Sequence, residues 1–296
     1  MSRSPLFGLL LDVDGPIASP VTRTIAIASI ARDLVALANA GNPVVFNTGR
    51  SDAFIAEQVV PPMLAAGLAP GAPVWAVCEK GAVWASIDVD GLGEIHVDPA
   101  LAMPADFAAE MRDVVADRFA DLMFFDETKR AMVSVEQHVD VASDRYLAAQ
   151  PVFDAAAQAA LAARGFGVVR EGAIRPDASG DVQWRIDPTI ISTDVESVRL
   201  GKDLGAERAV ALLAVRGIRP RHWRTMGDSR GDYRMADWLH ERGEEVRHVD
   251  VRPADGILPT AYPVLTADDV IHDEAGARFL ARWVEASERD LVGADH

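Results

Sequence analysis

The stretch Leu6-Phe7-Gly8-Leu9-Leu10-Leu11-Asp12-Val13-Asp14-Gly15 decides the fold. A continuous apolar run with no alternation is the pattern of a strand buried on both faces, as in a parallel sheet. It stops abruptly at two carboxylates and a glycine, so the strand runs out into a polar turn. The run is too short to span a bilayer, and it closes on Asp12 rather than on a small-residue cleavage site. No other run approaches transmembrane length, so a soluble, cytoplasmic protein is expected.

The same grammar repeats downstream. Apolar residues at Ile27, Ile30, Leu34 and Leu37 have helical spacing, which predicts a helix over Thr22 to Ala40 stopped by Gly41 and Pro43. Pro43-Val44-Val45-Phe46 reads as a second buried strand, ending at Asn47-Thr48-Gly49-Arg50. Ser51 can cap the helix that follows, which is expected to reach the Pro61-Pro62 pair or a little beyond. Val74 to Val77 is a third strand. Strand, helix, strand, helix, strand is the order of a doubly wound, Rossmann-like α/β sheet.

The middle of the chain reads differently. Pro104 to Phe119 and the Ala-rich Phe153 to Arg164 are predicted helices. Leu122 to Phe125, Ala131 to Val135, Val168-Val169 and Val182 to Ile186 are predicted strands, the first two paired around a polar turn. Paired strands with helices between them indicate an inserted α+β domain with an antiparallel sheet. Its expected bounds are 87–197, leaving 1–86 and 198–296 as the core. The α/β order then returns: a helix over Asp203 to Arg216, a strand His222 to Met226, a helix Tyr233 to Arg242, a strand Val246 to Val251 and a last helix Asp273 to Ala286.

Composition narrows the function. The 296 residues are 49% hydrophobic and 25% charged, which suits a globular protein rather than a disordered one. The 29 basic and 45 acidic residues give a net charge of −16. Nucleic acid and anionic membranes need a basic footprint, so neither is an expected partner. The single cysteine, Cys78, lies in an apolar run and reads as a core residue; it cannot form an intrachain disulfide or a cysteine-based zinc site. Gly91-Leu92-Gly93 lacks the last glycine of a dinucleotide fingerprint, and Gly201-Lys202 lacks the rest of a P-loop.

Three strand ends carry polar clusters, and in an open parallel sheet ligands bind outside the carboxyl ends of the strands. Asp12 and Asp14 are placed to share a Mg²⁺ site or to divide nucleophile and acid roles. Thr48 and the backbone N–H groups near Gly49 stand at a helix start, which favours an anion. Gly227-Asp228-Ser229-Arg230-Gly231-Asp232 supplies two further carboxylates, hard oxygen ligands for Mg²⁺. Lys202 opens a helix between the insert and this last motif. It is one of only three lysines, with Lys80 and Lys129, among the 29 basic residues.

Taken together and in order, Asp12-Val13-Asp14-Gly15, Thr48-Gly49-Arg50, Lys202, and Gly227-Asp228 with Asp232 resemble the four motifs of the haloacid dehalogenase superfamily of phosphatases. The resemblance covers essentially the whole chain. The insert falls where that superfamily carries its larger α+β cap, as in Cof-like sugar phosphatases and the sucrose-phosphate, mannosylphosphoglycerate and trehalose-phosphate phosphatases. Cys78-Glu79-Lys80-Gly81-Ala82 resembles the Glu-Asn-Gly-Ala segment before the Cof-like cap, with Lys80 in place of Asn. Pro16 stands where Thr or Val is usual. Ser229-Arg230-Gly231 stands where many relatives have Asn beside the second Asp.

The resemblance implies a Mg²⁺-dependent phosphatase acting on a small phosphate monoester, most plausibly a sugar phosphate. Asp12 would form an aspartyl-phosphate, and Asp14 would act as acid and then base. Asp12, Asp228 and the backbone carbonyl of Asp14 would hold Mg²⁺, while Asp232 would hold metal-bound water or Lys202. Thr48, Lys202 and N–H groups near Val13 and Gly49 would hold phosphate oxygens. A carboxylate at Asp14 favours a phosphatase or phosphomutase over a dehalogenase or transport ATPase. Candidate substrate contacts are Arg50 and Lys80 in the core, and Lys129, Arg130, Glu136, Trp184 and Arg185 in the insert. A monomer or homodimer is expected. The alternatives are a phosphomutase and a binding or regulatory protein that kept the fold and lost activity.

Overall fold

The computed structural model describes residues 4–293. The chain forms two compact units, one comprising Met1–His96 and Gly201–His296, the other Val97–Leu200.

The first unit begins with β1 (Phe7–Leu11), α1 (Ala28–Asn39) and β2 (Val44–Asn47). A helical stretch follows: α2 (Asp52–Phe54), a π-helical turn (Ile55–Val59) and α3 (Val60–Ala65). Then come β3 (Val74–Cys78), β4 (Val83–Asp88) and β5 (Gly91–Leu92), with β6 (His96–Val97) where the chain leaves the unit. Every residue of β1 is buried. Leu10 packs with Val45, Trp75 and Val77 against helices on one face of the sheet. Leu9 and Leu11 point to the opposite face and are equally buried. Burial on both faces is why the run is apolar without alternation.

The inserted unit carries α4 (Ala105–Arg118), β7 (Met123–Phe125), β8 (Val133–Gln137), α5 (Ser143–Ala163), β9 (Val168–Arg170), β10 (Ala173–Arg175), β11 (Trp184–Pro188) and β12 (Ser192–Ser197). Its strand order is β10-β9-β11-β12-β8-β7. Only the β9–β11 pairing is parallel. Phe107, Met111, Tyr146, Phe153 and Leu161 from the two helices pack on Val133, Val135, Ile186 and Val195 from the sheet.

The chain then returns to the first unit with α6 (Lys202–Val215), β13 (His222–Gly227), α7 (Tyr233–Glu241), β14 (Val246–Asp250), β15 (Val264–Leu265) and α8 (His272–Gly293). The main sheet runs β15-β14-β13-β1-β2-β3-β4-β5. It is parallel from β15 to β3, and β4 and β5 join antiparallel at one edge. This is the doubly wound α/β core with an α+β insertion. No helix among the described residues is long and apolar enough to cross a membrane.

Several elements differ from expectation for physical reasons. The helix expected from Thr22 starts at Ala28, because the residues after β1 close a tight loop on their own backbone. Ala18 N–H donates to Val13 O at 2.7 Å, and Arg23 N–H to Ser19 O at 2.8 Å. As expected, the helical stretch after Ser51 runs a little beyond Pro61-Pro62, to Ala65. The two prolines follow a π turn and sit in the first turn of the next segment, where missing N–H groups cost little. The helix expected from Phe153 begins at Ser143 and contains Pro151. The first unit extends to His96 rather than 86, because β4 and β5 belong to its sheet.

Candidate active site

Because β1, β2 and β13 are parallel neighbours, their carboxyl ends open on one edge of the sheet. Asp12 follows β1, Thr48 follows β2 and Asp228 follows β13. Lys202, the first residue of α6, reaches into the same place. Its Nζ lies 2.6 Å from Asp12 Oδ1 and 2.8 Å from Asp232 Oδ1. It also donates to Asn47 O at 2.7 Å. Asn47 Nδ2 donates to Lys202 O at 2.9 Å, which ties the start of α6 to the end of β2. Asp12 Oδ1 also accepts from Val13 N–H at 2.7 Å.

Asp232 is committed on both oxygens. Its Oδ1 meets Lys202, and its Oδ2 accepts from Asp228 N–H at 3.2 Å, Ser229 N–H at 3.0 Å and Ser229 Oγ at 2.7 Å. Of the two tasks open to Asp232 from the sequence, holding Lys202 is the one this arrangement displays. Asp228 is brought beside the first loop by Gly15. This residue has φ of 91°, and a Cβ there would come within 2.8 Å of the Asp228 side chain.

Ligand oxygens of Asp12, Asp228 and Asp232 lie within 4.8 Å of one another. Three carboxylates thus gather around one lysine. Burial pushes Asp12 well above the ordinary carboxylate range; Lys202 offsets this only in part, while Asp232 and Asp14 add to it. Burial likewise raises Asp228, and the Asp232 charge raises it further. Asp232 goes the other way, since Lys202 and the Ser229 hydrogen bonds outweigh its burial. Burial also works against the charge on Lys202, but Asp12 and Asp232 hold it above the usual lysine value. Two crowded carboxylates, one buried and one half-buried, short of positive charge are a fitting site for a divalent cation with oxygen ligands, as Mg²⁺ is.

Asp14 does not join this cluster through its side chain. Arg50 grips it with two hydrogen bonds, Nε to Oδ2 and Nη2 to Oδ1, each 2.9 Å. Arg50 also stacks over Phe54, with its guanidinium carbon 4.8 Å from the ring centre. Thr48 is buried, and its Oγ1 accepts from Arg50 N–H at 3.1 Å. Lys80 has φ of 54°, and its side chain runs along Gly49. Lys80 N–H donates to Thr48 O, and Gly201 N–H donates to Lys80 O, each at 2.9 Å. The Lys80 peptide therefore bridges the second and third motifs.

The candidates in the inserted unit behave differently. Trp184 is buried and packs edge-on against Phe166, with ring centres 5.9 Å apart. It sits in the hydrophobic core of its own unit. Arg185 is held within its unit by Glu196 Oε1 and Leu200 O, both at 2.7 Å. Arg130 is exposed, and Lys129 and Glu136 are half-buried.

Sequence reasoning missed the groups that support Asp228. Tyr233 OH donates to Asp250 Oδ2 at 2.7 Å, and Arg252 N–H donates to Asp250 Oδ1 at 2.8 Å. Arg252 Nε donates to Asp228 O at 3.1 Å. His272, at the start of α8, places Nδ1 3.9 Å from Asp228 Oδ2. Only Asp250 carried a usable signal, since it ends a buried strand beside β13.

No family model matches the sequence, and no curated protein does. Solved structures do match. A trehalose-6-phosphate phosphatase of Aspergillus fumigatus is 16% identical, with 95% of this chain and 94% of that one covered and a TM-score of 0.52. The C-terminal domain of a trehalose-6-phosphate phosphatase of C. albicans is 13% identical, covering 96% and 94% with a TM-score of 0.62. A haloacid dehalogenase-like hydrolase from B. subtilis is 16% identical, covering 92% and 98% with a TM-score of 0.51. The chain shares its fold with these proteins over nearly its whole length.

Proposed function

We propose that this chain is a Mg²⁺-dependent phosphatase that hydrolyses a small phosphate monoester through a phosphorylated Asp12. The observation that carries the reading is the gathering of Asp12, Asp228 and Lys202 at the carboxyl end of the parallel sheet, with Lys202 2.6 Å from Asp12.

Asp12 Oδ1 is fixed by Val13 N–H and Lys202, which leaves Oδ2 as the attacking oxygen. In the first step Oδ2 forms a bond to phosphorus, the ester bond breaks, and Asp14 delivers a proton to the departing oxygen. In the second, water attacks the same phosphorus, Asp14 takes its proton, and the Asp12 carboxylate is regenerated with inorganic phosphate released. Arg50 occupies both Asp14 oxygens in this arrangement, so Asp14 must turn out of that pair to carry the proton. Lys202, Thr48 and nearby backbone N–H groups hold the non-bridging oxygens. Asp12, Asp228 and the Asp14 carbonyl would hold Mg²⁺, which when bound draws two anions together and neutralises developing charge.

The trehalose-6-phosphate phosphatases among the similar structures support a sugar phosphate as the substrate. A net charge of −16 fits a small substrate, since the local field at the site is set by Lys202, backbone donors and the cation. The test is phosphate release from a panel of phosphate esters. Turnover is expected with Mg²⁺ and none with excess chelator. Full activity in chelator, or no turnover on any ester with Mg²⁺ present, would sink the reading.

A further inference from the structure

We infer that His272 is a positioning residue for Asp228, steadying that carboxylate for cation binding. This rests on the metal clause of the proposed function.

His272 Nδ1 is shielded from solvent and makes no hydrogen bond. Buried ring nitrogens without a partner are costly and rare, so the group calls for an explanation. Asp228 Oδ2 lies 3.9 Å from it, about an ångström beyond a hydrogen bond. Asp228 is itself short of partners on its side chain: the Arg252 hydrogen bond goes to its backbone oxygen.

The backbone holds His272 in this place against its preference. Its φ is 51°, in the left-handed region that costs a residue with a Cβ about 1–2 kcal/mol. Two contacts keep it there. His272 N–H donates to Val251 O at 2.8 Å, which pins it to the end of β14. One turn later Gly276 lies so close to the first-motif loop that a Cβ would sit 1.9 Å from Pro16 O. The start of α8 is thereby fixed to the loop that carries Asp12 and to the end of β14, the strand beside β13. Strain held in place by such contacts is a mark of a functional position.

The chemistry follows from the geometry. With a proton on Nδ1, a small turn of the Asp228 carboxyl closes the contact, and Nδ1 donates to Oδ2. The carboxylate is then held from one side, and its other oxygen would be left for the cation that Asp12 and Asp228 together would hold. A carboxylate ligand fixed by a neighbouring donor binds its metal about 10–100-fold more tightly than one left to rotate.

Two variants separate this role from a structural one. His272→Gly removes the ring and relieves the strained backbone. His272→Asn keeps a donor and tolerates the left-handed conformation. Mg²⁺ binding is measured by calorimetry, and Mn²⁺ binding by its electron paramagnetic resonance signal, with no substrate present. The expected result is a weakening of about 10-fold or more in His272→Gly, with a melting temperature no lower than wild type without metal, and partial recovery in His272→Asn. Folded His272→Gly binding Mg²⁺ as tightly as wild type would overturn the inference while leaving the proposed function standing. So would loss confined to Zn²⁺ or Co²⁺, which would mark a direct nitrogen ligand. Wild-type protein that binds no divalent cation would overturn both.

Discussion

The two units bury polar groups in opposite ways. In the inserted unit one group of buried polar residues, around Gln150, satisfies its own members. Gln150 Nε2 donates to Thr189 O at 2.8 Å and Ser192 O at 2.9 Å, and it contacts Tyr146 OH and Thr193 Oγ1 at 3.1 Å. Thr193 Oγ1 donates to Asp154 at 2.8 Å. The network closes on itself around one carboxylate. In the first unit, Asp12, Asp228 and Asp232 crowd one lysine, and two of the three are raised by burial. A satisfied network specifies a core; an unsatisfied one at the ends of parallel strands is poised for a ligand.

The contrast can be broken most sharply at Asp12. Asp12→Asn removes the proposed nucleophile and one crowded charge together. Phosphate release is expected to fall by about 10⁴-fold or more, while the melting temperature stays at or above that of wild type. A protein that keeps turnover would place the chemistry elsewhere.

Lys202→Ala should do the reverse to stability. It strands buried carboxylates without their counter-charge, a change that costs about 3–5 kcal/mol. Urea unfolding is expected to show that loss in chelator and a smaller one in Mg²⁺. An unchanged midpoint would mean that the lysine does not hold the cluster.

Gln150→Ala tests the other side. Loss of the amide takes a donor from Thr189 O and from the buried Tyr146 and Thr193 hydroxyls, at about 1–3 kcal/mol. Urea unfolding should register it, and Mg²⁺ affinity should not move. Coupled loss of Mg²⁺ binding would erase the distinction between the two networks.

The smallest effect concerns His248, buried beside Tyr233 and bonded through Nδ1 to Thr225 Oγ1 at 2.8 Å. Burial lowers its pKa to about 4. It is neutral in the folded protein, and the unfolded chain binds the extra proton first, near pH 6.5. Its contribution to stability is therefore present above about pH 6.5 and lost as pH falls toward the folded value. His248→Asn should flatten stability against pH across that window. An unaltered slope in urea unfolding between those limits would assign the acid sensitivity to other groups.

Much of this was legible in the sequence, because buried parallel strands are apolar runs and the site hangs from their ends. Asp12, Thr48, Lys202 and Asp228 each stand one step beyond or at the start of a regular element. What was illegible is physical too. β12 reads Ser-Thr-Asp-Val-Glu-Ser, and its polar residues hide its pairing from any hydropathy pattern. β5 and β15 are two residues each, too short for a period. α5 runs through Pro151, and the expected helix covered only the part after it. His272 has no spacing to announce it; α8 carries it to Asp228 only through the packing of Gly276 on Pro16.

The central claim is that Asp12 carries the phosphoryl group. The direct measurement is rapid acid quench during turnover, borohydride reduction and peptide mass spectrometry, since reduction converts an aspartyl-phosphate to homoserine. The account predicts homoserine at position 12 in wild type with substrate and Mg²⁺, and none in Asp12→Asn. Steady turnover with position 12 always recovered as aspartate, or homoserine at another carboxylate, would contradict it.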